Sequence, residues 1–292
     1  MIYLLGSIIL TSYLTLSFKV LEKFGINNFQ AIVVNYIACV MTGSVVNGKF
    51  PVNSSVVSQH WFLWSCLMGA TFISLFNLIA FTAQRLGIAV ASVANKLSMV
   101  IPFLFSLYLY NEKSGFLKIA GIGVALLAVI LTCSKKGEAQ GETGSDKKLI
   151  FFVPAILFLG SGLLDTMVKY VEQGYLDEGN KNDFLITAFA VAALIGIIVM
   201  FFQFLGRKKD FSFRPLIAGF AIGIPNYFSI WCLLKVLQMY PGDSSAIIPV
   251  NNMGIVLFSA LMSAVLFKEK LSILNWAGIL LSIIAIALIA YG

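Results

Sequence analysis

Apolar runs of about twenty residues alternate with short polar breaks along nearly the whole chain, a length that crosses a bilayer as a helix. Ten such runs are read: residues 2–20, 28–46, 62–84, 88–110, 115–133, 149–171, 183–205, 214–238, 244–267 and 271–290. Runs this long are too long for strands. The pattern predicts an all-α integral membrane protein with ten transmembrane helices. Lipid demands the same, because a helix satisfies its own backbone without water. Most breaks are short, so successive helices are expected to be antiparallel neighbours. The first run has no basic flank and no small-residue cleavage site, and it exceeds signal-peptide length. It is read as a retained helix.

The pattern is also stated twice. Residues 85–122 and 240–279 each place a glycine before an apolar run (Gly87, Gly242), a Glu-Lys pair at its end (Glu112-Lys113, Glu269-Lys270) and Ala-Gly-Ile in the next run (Ala120-Gly121-Ile122, Ala277-Gly278-Ile279). From Glu-Lys onward the offset is 157 residues. Upstream, residues 17–23 fall on 167–173 at an offset of 150, and Asn28-Phe29 near Asp183-Phe184 at 155. A one-way drift is what small loop insertions leave in a duplicated unit. The longest polar segment, 134–148, reads SKKGEAQGETGSDKK and has the composition of a flexible linker. It divides the chain into a first five-helix repeat, 1–133, and a second, 149–292. Five is odd, so the second repeat starts on the opposite side of the membrane. The two repeats are therefore expected to be inverted, related by a pseudo-two-fold axis in the membrane plane.

Composition sharpens this picture. Of 292 residues, 59% are hydrophobic and 11% charged, against about 25% charged in a soluble domain. So little charge cannot cover a wetted surface. The net charge of +7 is loop charge. Loops after the first, third, fifth, seventh and ninth runs hold thirteen Lys and Arg against at most five on the other side. That bias places the linker in the cytoplasm and both termini outside. No basic run with interleaved aromatics occurs in a polar segment, so nucleic acid is set aside. The four cysteines form no CxxC and read as packing residues. The single histidine, His60, lies beside Trp61 and Trp64 and reads as part of an interfacial belt, so no metal site is expected. There is no GxxxxGK[ST] for ATP and no GxSxG or His cluster for catalysis. No enzyme, no catalytic residue and no cofactor is expected.

Polar groups in mid-helix are the candidate chemistry. A charge at the bilayer centre costs about 2.5–3.5 kcal/mol on insertion scales, so each needs a partner, a water-filled cavity or a function. Lys96 follows Asn95 and lies about three residues from the middle of the fourth run, roughly 4–5 Å along the axis. Ser92, Met99 and Phe103 share its face by helical spacing. The repeat mate is Asn251-Asn252, uncharged. An ammonium there is suited to a substrate carboxylate or phosphate; the structural reading is a lysine held by carbonyls and Asn95. Asp165 is the one carboxylate well inside a run and is the candidate coupling group. The plainer reading is a helical ion pair with Lys169. Lys235 stands toward one end of its run and can snorkel. Asn35, Asn77 and Asn226 either join neighbouring helices or line a cavity. Pro249, beside Asn251 and Asn252, is the expected place for a bent or broken helix, ahead of Pro102 and Pro225. Glu112 and Glu269 at the run ends read as pairs that fix loops.

On residues 87–113 with Ala120-Gly121-Ile122, and 241–270 with Ala277-Gly278-Ile279, the chain resembles the drug/metabolite transporter superfamily in its ten-helix form with two EamA-type halves. The resemblance covers essentially the whole chain. It departs where the runs end in Tyr110-Asn111-Glu112 and Phe267-Lys268-Glu269 rather than Leu-Gly-Glu. It implies cytoplasmic termini, opposite to the charge bias, and a structural or gating role for the two glutamates. The expected function is secondary-active transport of a small polar or amphipathic metabolite by alternating access across a plasma (inner) membrane, with export favoured by the resemblance. The candidate cavity residues are Lys96, Asn95, Ser92, Asn77, Asn226, Asn251, Asn252 and Lys235, with Asp165 for coupling. A passive channel or facilitator and, more remotely, a membrane-embedded enzyme are the alternatives. The implied partners are a small-molecule substrate and the bilayer, with proton coupling left open; a monomer is compatible with the pattern.

Overall fold

The structure, a computed structural model, describes residues 2–51, 56–110, 116–133, 144–177, 179–205, 213–240 and 244–291. Every regular element among them is a helix: α1 Ile2–Lys23, α2 Asn28–Asn47, α3 Phe62–Arg85, α4 Ile88–Leu97, α5 Val100–Tyr110, α6 Phe116–Cys133, α7 Gly144–Tyr175, α8 Lys181–Leu205, α9 Arg214–Met239, α10 Ser244–Leu266 and α11 Ile273–Tyr291. Among the described residues, eight helical spans are long and apolar enough to cross a membrane, and two shorter apolar stretches lie at Ile119–Thr132 and Ile273–Ile289. The outward faces are apolar: Val45, Phe116 and Ile273 are each more than four-fifths exposed. Such surface is stable only against lipid.

The fourth run differs from its sequence reading. It is two helices, interrupted at Ser98 and Met99. The helix containing Pro249 is continuous from Ser244 to Leu266. Proline position alone does not separate them: α10 runs through Pro249, its sixth residue, and α7 and α9 run through Pro154 and Pro225, deeper in their helices. Pro102 is the third residue of α5. It lacks the N–H that would bond the Ser98 carbonyl, and its ring crowds that carbonyl. Ile101 N–H takes the Ser98 carbonyl instead, at 2.9 Å, and Phe103 N–H reaches Met99 O only at 3.4 Å.

Helix ends follow local signals. Asn27 caps α2 by accepting from Gln30 N–H at 3.1 Å, and Gly48 ends it in the left-handed conformation. Ser272 and Asn275 cap α11 reciprocally: Ser272 Oγ accepts from Asn275 N–H, and Asn275 Oδ1 accepts from Ser272 N–H.

The chain folds as two compact units. One comprises residues 1–19, 78–165 and 229–292; the other comprises 20–77 and 166–228. Each takes helices from both sequence halves. The core of the first unit gathers Leu97, Val100, Ala128, Val256, Ile279 and Ile286 from α4, α5, α6, α10 and α11. There α6 and α11 lie so close that a Cβ on Gly278 would meet the Thr132 hydroxyl, with Thr132 N at 2.6 Å; one on Gly121 would meet Ile289 Cγ1 at 2.9 Å. In the second unit Tyr36, Phe72 and Phe189 stack between α2, α3 and α8. Gly43 of α2 faces Ile186 of α8, and Gly196 of α8 faces Val33 of α2. Small residues let backbones approach where no hydrophobic drive between helices exists. Trp61 is buried edge-on against Phe184 at 5.9 Å, so it packs inside its unit rather than in an interfacial belt.

Candidate functional site

The site is built on the interruption. Gly87 starts α4 with φ +108°, a conformation open to glycine and strained for other residues. The chain can then turn sharply from α3 into α4. Glu269 closes this start from the far end of the chain: both carboxylate oxygens lie 3.3 Å from Ile88 N, which donates to them. A carboxylate on orphan N–H groups at a helix N-terminus is favourable in charge and in hydrogen bonding. Three turns on, α4 stops at Leu97, one residue past Lys96.

Lys96 is half-buried in the last turn of α4. Asp165 of α7 lies within electrostatic reach of it. Asp165 keeps exposed surface. Its place is set by Gly162, one turn earlier, where a Cβ would overlap Ile101 of α5. That glycine lets α7 press against α5 just past the break. Ser98 bridges the two segments. Its Oγ is 2.5 Å from Asn95 O and 3.4 Å from Asp165 Oδ2. A hydroxyl has one proton, so the shorter bond to Asn95 O takes it and the carboxylate contact is the weaker. From α10, Asn252 Nδ2 donates to Met99 Sδ at 3.5 Å. Ser92 Oγ and Asn251 Oδ1 are buried without a hydrogen-bond partner. Buried polar atoms are nearly always paired, so these two are available to a solute or to water.

Among the residues read from the sequence, Asn95, Lys96, Asp165 and Asn252 come to the interruption. Ser92 is on α4 and Asn251 is on α10, both in the same unit. Lys235 is also in that unit, but its ammonium is local: 3.3 Å from Gln238 Oε1 and 5.6 Å over the Trp231 ring. Asn77 and Asn226 lie in the other unit. Asn77 Nδ2 donates to Ile73 O in its own helix, and Asn226 Nδ2 donates to Asn35 Oδ1 at 3.1 Å. Glu112 and Lys113 lie outside the described residues. Ser98 escaped sequence reading because it is not a costly residue in a helix; Met99 was read only as sharing the face of Lys96. The signal for Ser98 was Pro102, four positions on.

Residues 152–291 match the EamA-like transporter family. Over those residues the chain is similar to this family, which is of the drug/metabolite transporter superfamily. Its apolar helical spans are those of a multi-pass membrane protein. An uncharacterized protein of Haemophilus influenzae is 27% identical over 224 residues, covering 77% of this chain and 74% of that one. A solved crystal structure at 15% identity superposes with a TM-score of 0.63, covering 98% of this chain and 94% of that one. That likeness is one of fold. Asp165 of α7 and Asn252 of α10 lie inside the matched residues, and the interrupted helix lies before them.

Proposed function

We propose that this EamA-like chain is a secondary-active transporter of a small polar or amphipathic metabolite. It works by alternating access of two inverted five-helix halves, and α4–α5 lines the path. The observation that carries this reading is a set of reciprocal helix contacts. Gly121 of α6 faces Ile289 of α11, and Gly278 of α11 faces Thr132 of α6. Gly278 and Ile289 stand 157 residues after Gly121 and Thr132, the offset of the sequence repeat. One contact is the other with roles exchanged. The second unit repeats the arrangement: Gly43 with Ile186 is answered by Gly196 with Val33, corresponding residues being 153 apart. Gly69 with Ala188 and Val191 is answered by Gly223 with Asn35 and Ala38, at 154 and 153.

Role exchange is the mark of a two-fold axis. The paired helices run antiparallel, so for helices along the membrane normal that axis lies in the membrane plane. Inverted repeats of this kind hold their substrate near the midplane, typically at a discontinuous helix. Here that helix is α4–α5. Lys96 attracts an acidic group of the substrate. Asn95, Ser92, Asn251 and Asn252 supply neutral hydrogen bonds. Asp165, the counter-charge of Lys96, is the coupling group. Export across a plasma (inner) membrane is the direction and place proposed.

The test is flux in proteoliposomes. Metabolite profiles of cells with and without the gene supply the substrate. Accumulation against its gradient, driven by an imposed proton gradient, is the expected result. Flux that only equilibrates the substrate, with or without that gradient, would replace the transporter by a passive facilitator.

A further inference from the structure

A cavity of about 250 Å³ opens in the first unit, at the helix ends. Its charged lining is Lys19 of α1, Arg85 of α3, and Glu269 and Lys270 before α11. Gly87 at the start of α4 and Thr132 at the end of α6 complete the ring. Gly87 and Lys96 lie at opposite ends of α4, so the cavity stands roughly 13 Å from the transport site at 1.5 Å per residue. It belongs to the membrane face that the basic-residue count assigns to the cytoplasm.

Its charge is not balanced. Three cations come from three separate elements. The one carboxylate, Glu269, is already engaged by Ile88 N–H at the positive end of α4. Lys19 is held in place, its Nζ donating to Gln84 O at 2.8 Å, while Gln84 Nε2 donates back to Phe18 O at 2.6 Å. Arg85 and Lys270 are exposed. The adjoining turns are oily and exposed: Val265, Leu266 and Ile273 are 70%, 57% and 81% exposed. The volume is below that of a drug-sized site, about 300–1,000 Å³, and suits a small phosphate-bearing fragment. Basic pockets between helix ends on the cytoplasmic side are where anionic headgroups bind.

We propose that this cavity binds the phosphate-bearing headgroup of an anionic phospholipid. Arg85 and Lys270 pair with the phosphate oxygens, Lys19 closes the far side, and the acyl chains lie along Leu266 and Ile273. The bound lipid ties the ends of α1 and α3 to the start of α11.

The chemistry recognised is a phosphate ester, which a free metabolite could also present, so the experiment separates the two. Thermal melting of the purified full-length protein in detergent is followed with phosphatidylglycerol, phosphatidylcholine or glycerol 3-phosphate. Phosphatidylglycerol is expected to raise the melting temperature, and the other two to leave it unchanged at equal concentration. R85Q/K270Q is expected to need at least tenfold more phosphatidylglycerol for the same shift. K23Q/R214Q, which removes the same charge from the end of α1 and the start of α9, outside the cavity, is expected to respond as wild type. If R85Q/K270Q cannot be purified, K270Q alone, at an exposed position, is expected to weaken the response at least threefold. An equal shift with glycerol 3-phosphate overturns the lipid in favour of a free phosphate ester. An equal loss in K23Q/R214Q, or a full response in K270Q, overturns the site itself.

Discussion

Lys96 stands one residue before the helix that carries it stops, and Asp165 and Ser98 meet at that stop. The lysine was legible from sequence because a charge in an apolar run is costly wherever its partner lies. Its neighbour Ser98 was not, since serine is an ordinary helix residue. Leucine is the better lipid-phase side chain, so Lys96→Leu is expected to express and fold while losing substrate transport; normal transport by the purified variant would make Lys96 structural. Asp165→Asn keeps the shape of the side chain and removes its charge. It is expected to retain substrate exchange across liposomes while losing accumulation driven by a proton gradient, and unchanged accumulation would remove Asp165 from coupling. Gly87 makes a third case. At φ +108° a Cβ is strained, by about 1–3 kcal/mol. Gly87→Ala is therefore expected to lower the melting temperature in detergent, although the Cβ would touch nothing nearer than Glu269 Oε2 at 3.5 Å.

Two helices of matching sequence behave differently as elements. α10 runs through Pro249, while the corresponding stretch breaks into α4 and α5. Proline alone does not break a helix, since α7 and α9 also run through Pro154 and Pro225; the competing groups nearby decide. Ser98 supplies such a group, since its hydroxyl bonds Asn95 O within the last turn. Pro102→Ala restores the missing N–H. It is expected to make the span continuous, to raise the melting temperature and to slow transport. A transport rate equal to wild type with a raised melting temperature would leave the break without a functional part. Close packing sets the other element-scale limit. Gly278 lies against Thr132 N and Ala128 O, which are backbone atoms and cannot rotate aside. Gly278→Ala is expected to force α11 from α6 at about 1–3 kcal/mol, read as a lower melting temperature.

For the whole molecule, repeats and compact units divide the chain differently. The repeats read from the sequence run end to end, 1–133 and 149–292. Each compact unit takes helices from both halves. Helices that this reading makes equivalent pack against each other, α6 with α11 and α2 with α8, with reciprocal glycine contacts. Orientation belongs to this scale too. Thirteen basic residues against five predict a cytoplasmic 134–148 linker. Ser145→Cys, in a chain without its four native cysteines, is expected to resist an impermeant thiol reagent in intact cells and to react after permeabilisation. Labelling in intact cells would reverse the assignment.

Residence in a membrane, the positions of the apolar spans and their twofold statement were determined by sequence alone. Each is a local or additive quantity: run length, hydropathy, offset. Lys96 and Asp165 stood out for the same reason, because their cost is paid at their own positions. Tertiary structure decided what meets what. Glu269 caps a helix 181 residues before it, Ser98 finds Asp165, and Asn252 finds Met99. It also placed Asn77 and Asn226 on bonds within the other unit. Periodicity tells which face of a helix is apolar, but not which neighbour that face will meet. That choice rests on close approach at glycines such as Gly162 and Gly278, and on a proline whose effect depends on the groups beside it.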